Sequence, residues 1–412
     1  MIETMTTADW LAERNQALCC EVELVGLDEL RSWEFRPGTH DLVHSSGQFF
    51  SVHGLDVRTG ERRWKQLIIR QDEIGLLGIL AKRFDGQLQF LMQAKVEPGN
   101  INRVQLSPTV QATRSNLTRV HRGEPTRYLD LFTAPGRGRV LVDQLQSEQG
   151  RCFYRKRNRN MIVLTTDEVE RHENYRWFTL DELHQLLPVD NLLNMDARSV
   201  LSCLPLTELY EGRALHSTQD LMSWLNDIRM TNDVRAQLVG LCELGSWQPN
   251  PAELADDSFR LVGVRVHAIG REVGSWEQPM ITPLRPHVIA FLTTHLDNAP
   301  HVLMHADVEP GTLNVAELGP TLDRAPDADE DGLLSHVLES KPLFDTVLSE
   351  EGGRFYHGVN RYLVAYTTDP AEPGPDYRWV SVRQLESLVG QGHHVNVQAR
   401  TLLACARANL KL

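Results

Sequence analysis

The 412-residue chain is about twice the usual size of a single domain, so two or three domains are expected. Hydrophobic residues at 41% and charged residues at 24% exclude a largely disordered chain, and a formal charge of -13 argues against general affinity for nucleic acid or anionic lipid. No run approaches the roughly 18 apolar residues of a membrane helix, and no basic stretch precedes an apolar one at the N-terminus, so a soluble cytoplasmic protein is expected.

In chain order, apolar residues at mixed three and four spacing predict amphipathic helices over 9–30 and 219–244. Strand-rich runs follow at 67–80, 87–96, 104–113 and 161–165, with 288–293 and 363–367 opposite them later. Thr179 and Ser381 read as N-caps of closing helices, and Thr179 with Glu182 fits a capping box. The class implied is α+β, with helices packed on a mixed, curved sheet. Six cysteines without CxxC or metal-finger spacing read as free, mostly buried thiols.

The chain repeats itself. Leu91 to Gly99 (LMQAKVEPG) returns as Leu303 to Gly311 (LMHADVEPG), and Trp64 and Gln66 return as Trp276 and Gln278. Phe153-Tyr154 matches Phe355-Tyr356, Asn158-Arg159 matches Asn360-Arg361, and Tyr175-Arg176-Trp177 matches Tyr377-Arg378-Trp379. A tandem duplication follows, with units at 1–205 and 218–412 joined by a linker at 206–217.

Residues 87–97 alternate, placing Gln93, Lys95 and Glu97 on a polar face; Gln105, Ser107, Thr109 and Gln111 form a second polar row. For both rows to share a face, the loop between them needs an odd length or a bulge. A solvated sheet face would usually be rich in Lys and Glu, whereas uncharged hydrogen-bonding groups dominate here and suit a hydroxyl-rich ligand such as a sugar. The segment 114–159 holds 11 basic and 4 acidic residues, against 3 basic and 8 acidic in 326–361. Guanidinium groups suit a pyrophosphate, so the first unit is the better candidate for an anionic substrate; an exposed loop or an RNA-contacting strip is the competing reading.

Trp64/Trp276, Tyr154/Tyr356, Asn102/Asn314 and Glu97/Glu309 occur in both units and serve something both need, either a fold or a nucleotide pocket with Trp stacked on a base. Lys95, Gln105, Ser107 and His121 are not repeated: Asp307, Glu317 and Gly319 replace the first three, and the last falls in a segment without a counterpart. Chemistry done once per chain should use such residues. No GxGxxG after a strand, Walker loop or HExxH motif is present, so no cofactor or metal is expected.

The runs WKQ at Trp64, LMQAKVEPGNIN at 91–102, QLSPTVQATRSN at 105–116 and Thr118-Arg119-Val120-His121 closely resemble the sugar-nucleotide (NDP-hexose) 2,3-dehydratases. The resemblance implies two Nudix-like domains lacking the Nudix metal box, a homodimer, and dTDP-4-keto-6-deoxy-D-glucose as substrate in the making of antibiotic deoxysugars. It also implies nucleotide pockets in both units with one catalytic, and an unstable 3,4-diketo product passed to a 3-ketoreductase. On this footing Lys95, Glu97, His121 and Tyr154 are candidate catalytic groups. Trp64, Gln66, Gln93, Asn102, Gln105, Ser107, Thr109, Gln111, Arg114, Arg119 and Arg122 are candidate substrate contacts, and Trp276, Gln278, Asn314 and Tyr356 a second nucleotide site. A non-catalytic sugar-nucleotide binder and a divergent Nudix hydrolase are the alternatives.

Overall fold

The computed structural model describes residues 5–60, 62–113, 125–134, 136, 138–205, 212–245, 252–256, 259–269, 271 and 273–407. The first half runs α1 (Thr7–Ala17), β1 (Cys19–Val25), β2 (Trp33–Phe35), β3 (Leu42–His44), β4 (Ser51–Thr59), β5 (Arg62–Arg70), β6 (Gly75–Phe84), β7 (Gln87–Val96), β8 (Val104–Ser107) and β9 (Val110–Ala112). It continues with α2 (Asp130–Thr133), β10 (Arg139–Ser147), β11 (Phe153–Tyr154), β12 (Arg157–Leu164), β13 (Tyr175–Thr179), α3 (Leu180–Leu186) and α4 (Met195–Ser202). The second half opens with α5 (Thr218–Thr231), β14 (Val234–Val239), β15 (Leu254–Ala255), β16 (Phe259–Ile269), β17 (Ser275–Pro283), β18 (Val288–Leu296), β19 (Ala299–Val308), β20 (Ala316–Gly319) and β21 (Leu322–Arg324). It closes with α6 (Leu333–Glu339), β22 (Lys341–Ser349), β23 (Val359–Tyr366), β24 (Tyr377–Ser381), α7 (Val382–Val389) and α8 (Val397–Arg407).

Among the described residues the architecture is mixed α+β without a closed barrel. Each half contributes one seven-stranded sheet of the same order, β10-β12-β6-β7-β13 and β22-β23-β18-β19-β24, with β8 and β9 or β20 and β21 added at one end. In both, only the central contact, β12 with β6 and β23 with β18, is parallel among the main pairs. Thr179 and Ser381 each cap a helix through a full capping box. A further buried helix, α4 or α8, then follows, which the sequence pattern did not separate from it.

The predicted helix over 9–30 stops at Ala17. Cys19 to Val25, with alternating Glu21 and Glu23, is a strand that pairs antiparallel along its whole length with β16 of the other half. The predicted helix over 219–244 likewise ends at Thr231, and β14 pairs with β4 of the first half. Tertiary pairing overrides the local helical spacing at both places. Each half therefore reaches across and completes the other's hairpin. The run 67–80 is two strands, β5 and β6, separated at 71–74.

The shared Glu-Pro-Gly turns lock the halves together. Gly99 donates its N–H to Gly352 O (2.8 Å) and Gly311 donates to Gly150 O (2.8 Å). A Cβ at Gly99 would lie 1.7 Å from Phe355 O, and one at Gly311 2.3 Å from Gly150 O, so backbone contact this close admits only glycine. Arg198 on α4 and Arg400 on α8, both fully buried, extend the same reciprocity, donating to Ser349 O (2.6 Å) and Ser147 O (2.7 Å). Phe90, Met92, Val302, Met304 and Leu402 belong to one continuous apolar core, so the halves are not separately cored. No described helix is long and apolar enough to cross a membrane, and the six thiols are free, with Cys203 and Cys405 buried and Cys242 exposed.

Candidate functional site

A cavity of about 590 Å³ opens at the seam between the halves. Its size lies in the range of small-molecule sites. The first half supplies one wall from β7 (Lys95), the turn after it (Glu97), β9 (Gln111), β12 (Asn158) and α4 (Asp196); the second supplies Trp276 and Gln278 on β17 with Glu351 and Arg354 from the loop after β22.

Lys95 and Gln111 meet because the loop between β7 and β8 spans seven residues, 97–103, which sets Lys95 opposite Gln105 and keeps odd-numbered residues on one face. Lys95 is 9% exposed; its Nζ donates to Gln111 Oε1 and pairs with Glu97 Oε1 at 3.0 Å. Gln111 Nε2 in turn donates to Asp196 Oδ2. The amide is thus oriented from both ends, with its oxygen to the ammonium and its nitrogen to the carboxylate. Asn194 caps α4 by accepting from Ala197 N (2.8 Å), which fixes Asp196 in the first turn.

Charge is divided unequally among these acids. Burial raises the Glu97 carboxyl, but the Lys95 and Arg271 cations outweigh it and hold Glu97 below the ordinary carboxylate range. Burial, reinforced by the negative charges of Glu148 and Glu97, lifts Asp196 to about 7. Glu148 also rises to about 7, chiefly through burial, and Glu351 to about 8 through burial and the charges of Glu97 and Asp196. Lys156 is lowered to about 8 by burial. Acids and bases poised near neutrality in one cleft are the means of proton-transfer chemistry.

The cavity lining also holds a cluster of aromatic rings. Trp33 packs against Phe50 (4.8 Å between ring centroids) and His44 (5.4 Å), and His44 against Phe49 (4.4 Å). Trp33 Nε1 donates to Glu277 O (2.9 Å), tying this corner to β17, whose Trp276 completes the wall. Arg354 lies over the Phe50 ring at 4.3 Å, and Arg271 over Trp276 at 5.7 Å. Among the described residues, no group of three His, Cys, Asp or Glu is placed to hold a metal ion.

Of the sequence candidates, the structure brings Lys95, Glu97 and Gln111 into the cavity, together with Trp276 and Gln278 that were assigned to a second site. Trp64, Gln66 and Tyr154 do not line it: Trp64 Nε1 donates to Gln66 Oε1 (2.8 Å), Gln66 reaches Arg151 O (2.9 Å), and Tyr154 lies under the Arg155 guanidinium (5.0 Å). The β16–β17 hairpin, to which β1 of the first half is paired, carries Trp276 and Gln278 into the cavity instead. Gln105, Ser107 and Thr109 are at most 1% exposed and serve the fold; Gln105 bonds Asn102 and Ser349, Ser107 bonds Pro108 O, and Thr109 bonds Leu91 O and receives Leu80 N. Asn102 donates to Asn191 O (3.0 Å), and Gln93 pairs across the sheet with Tyr175 and Ser107. Asn314 and Tyr356 also stand outside the lining. Arg114, Arg119, Arg122 and His121 lie outside the described residues. Asp196, Lys156, Glu351 and Arg354 were missed, although a signal existed: in the repeat they face Gln398, Gly358, Gln149 and Cys152.

The corresponding place in the second half is occupied differently. Asp307, Glu309 and Asp323 converge on the Arg151 guanidinium of the first half, at 3.6, 3.0 and 3.6 Å, and His287 holds Asp323 at 2.6 Å. Burial and the neighbouring Asp307 charge lift Glu309 to about 8.

A family model described as NDP-hexose 2,3-dehydratase matches residues 4–204 and again 218–406. The chain is 43% identical over 420 residues to a dTDP-4-dehydro-6-deoxy-alpha-D-glucopyranose 2,3-dehydratase of Amycolatopsis orientalis, covering 97% of this chain and 89% of that one. It is 45% identical over 426 residues to one of Streptomyces violaceoruber (97% and 96% covered) and 41% over 443 residues to one of Saccharopolyspora spinosa (98% and 91%).

Proposed function

The chain belongs to the NDP-hexose 2,3-dehydratase family, and from that premise we propose how its seam cavity removes water from a dTDP-4-keto-6-deoxyglucose. The protein is a hydro-lyase acting on a sugar nucleotide. The observation that carries the assignment of the site is the buried Lys95–Gln111–Asp196 chain on the cavity wall.

A ketone at C4 acidifies the C3 proton. Asp196, poised near neutrality, takes that proton, and the Lys95 ammonium faces the C4 oxygen and stabilises the enolate. Expulsion of the C2 hydroxyl then leaves an enol, which tautomerises to the 3,4-diketo-2,6-dideoxy sugar. Glu97 keeps Lys95 in place as its counter-ion. Arg271, Lys156 and Arg354 line the same cavity and suit a pyrophosphate, and its aromatic rings suit the thymine.

Residues 1–205 and 218–412 are taken as two Nudix-like domains, linked by 206–217, in a homodimer acting in the cytoplasm and coupled to a 3-ketoreductase. The repeated sheet order supports the first of these. Incubation with the 4-keto sugar nucleotide, a 3-ketoreductase and NADPH under chelation tests the function. A 2-deoxy product is expected. Nucleotide binding without that product would make the protein a sugar-nucleotide binder instead.

A further inference from the structure

We propose that the proton donor to the departing C2 hydroxyl is Glu351, a residue of the second half that faces the cavity of the first. The inference rests on the dehydratase reading and adds the identity of the acid.

The loop between β22 and β23 fixes this side chain at the seam. Gly99 N donates to Gly352 O (2.8 Å) and His357 N to Gly99 O (3.1 Å), so the loop is stitched to the turn that carries Glu97. Glu351 Oε1 accepts from Gly353 N (2.8 Å), which sets the carboxyl on the cavity wall with Lys95 and Asp196. The other carboxyls of that wall have different duties. Glu97 is bound to Lys95 and Arg271 (3.0 and 3.6 Å), Glu277 to Arg265 (2.9 Å), and Glu73 accepts from Gln71 (2.8 Å). Glu148 accepts from Asn158 (2.6 Å) just as Glu350 accepts from Asn360 (2.6 Å), so that pair belongs to the scaffold both halves share. Glu351 is not duplicated: the first half has Gln149 there, which donates to Glu350 (2.8 Å).

The charged groups around Glu351 are Glu97 at the end of β7, Asp196 on α4, Glu148 beyond β10, Lys156 just before β12 and Arg354 in its own loop. Burial, then the Glu97 and Asp196 charges, raise it to about 8 against the pull of Arg354, so it carries a proton at neutral pH. In the step, Asp196 takes the C3 proton and the C3–H electron pair enters the C3–C4 enolate. The enolate then re-forms C4=O, its electrons become the C2=C3 bond, the C2–O bond breaks, and the Glu351 proton leaves with the hydroxyl as water. Asp196 ends protonated and Glu351 ionised, and exchange with solvent resets both.

The test uses Glu351→Gln in the full chain, with dTDP binding as the control for folding. Water elimination from the natural substrate should slow at least about 100-fold. Exchange of the C3 proton in D2O should persist, and the 2-deoxy-2-fluoro analogue, whose fluoride needs little protonation to leave, should react within about 3-fold of wild type. Glu351→Asp should recover part of the loss, and the alkaline fall of wild-type kcat near pH 8 should vanish in Glu351→Gln. Wild-type dehydration by Glu351→Gln, or equal loss of water and fluoride elimination, would overturn the proposal. A wild-type protein that neither exchanges C3–H nor releases fluoride would instead sink the dehydratase reading.

Discussion

On β7, β9 and α4 of the first half stand Lys95, Gln111 and Asp196; at the equivalent places of the second half stand Asp307, Asp323 and Gln398. Two sheets of one strand order thus present opposite electrostatics. In the first, acidic and basic side chains line an open cavity, whereas in the second three acidic side chains surround the half-buried Arg151 guanidinium. The difference teaches that the scaffold requires the Glu-Pro-Gly interlock and the Trp–Gln pair, which both halves keep, and that the chemistry requires what they do not share.

The sharpest break in this symmetry should come from the base. Asp196→Asn is expected to lower kcat by about 1,000-fold, whereas Gln398→Asn should leave turnover per folded molecule within about 3-fold, measured by the coupled reductase assay. Arg151→Ala acts on the other side of the comparison: it leaves Asp307, Glu309 and Asp323 without their cation and should cost about 3 kcal/mol of stability by urea unfolding, with kcat little changed. The exchanged tryptophans come next. Trp276→Ala should raise KM by roughly 10-fold through the lost aromatic face, and Trp64→Ala should leave it within about 2-fold, since a stacked base is worth about 1–3 kcal/mol.

The smallest effect concerns pH. Asp196 and Glu351 have folded values raised to about 7 and about 8, so their contribution to the fold is full below the unfolded carboxylate range and is lost as pH rises from that range through 7 and 8. Tm should therefore be higher for Glu351→Gln than for wild type at pH 8.5 and similar at pH 5, a gain of a few degrees at about 1 °C per kcal/mol for a chain of this length.

Much of this was legible in the residues. Alternation along 87–97 located Lys95 on a polar strand face, and the requirement for an odd-length loop anticipated the seven-residue connection that sets it opposite Gln105. The repeat separated Lys95, which is not duplicated, from Glu97, which is. Pocket membership was not legible, because it depends on β1 and β14 crossing to the opposite half, and helical spacing concealed both strands. Trp64, expected at the substrate, stands outside this cavity, and Trp276, expected at a second site, lines it. Gln105, Ser107 and Thr109 looked like a ligand row because buried hydrogen-bonding side chains satisfy backbone groups as readily as they meet a sugar. Asp196 and Glu351 are unduplicated as well, with Gln398 and Gln149 at the matching positions.

The most direct measurement is the side-by-side kcat of Lys95→Ala and Asp307→Ala on the 4-keto sugar nucleotide, with the 3-ketoreductase and NADPH trapping the product under chelation. The first should fall at least about 100-fold and the second should stay within about 3-fold of wild type. Equal losses, or a deeper loss in Asp307→Ala, would contradict a single active cavity built on the first half.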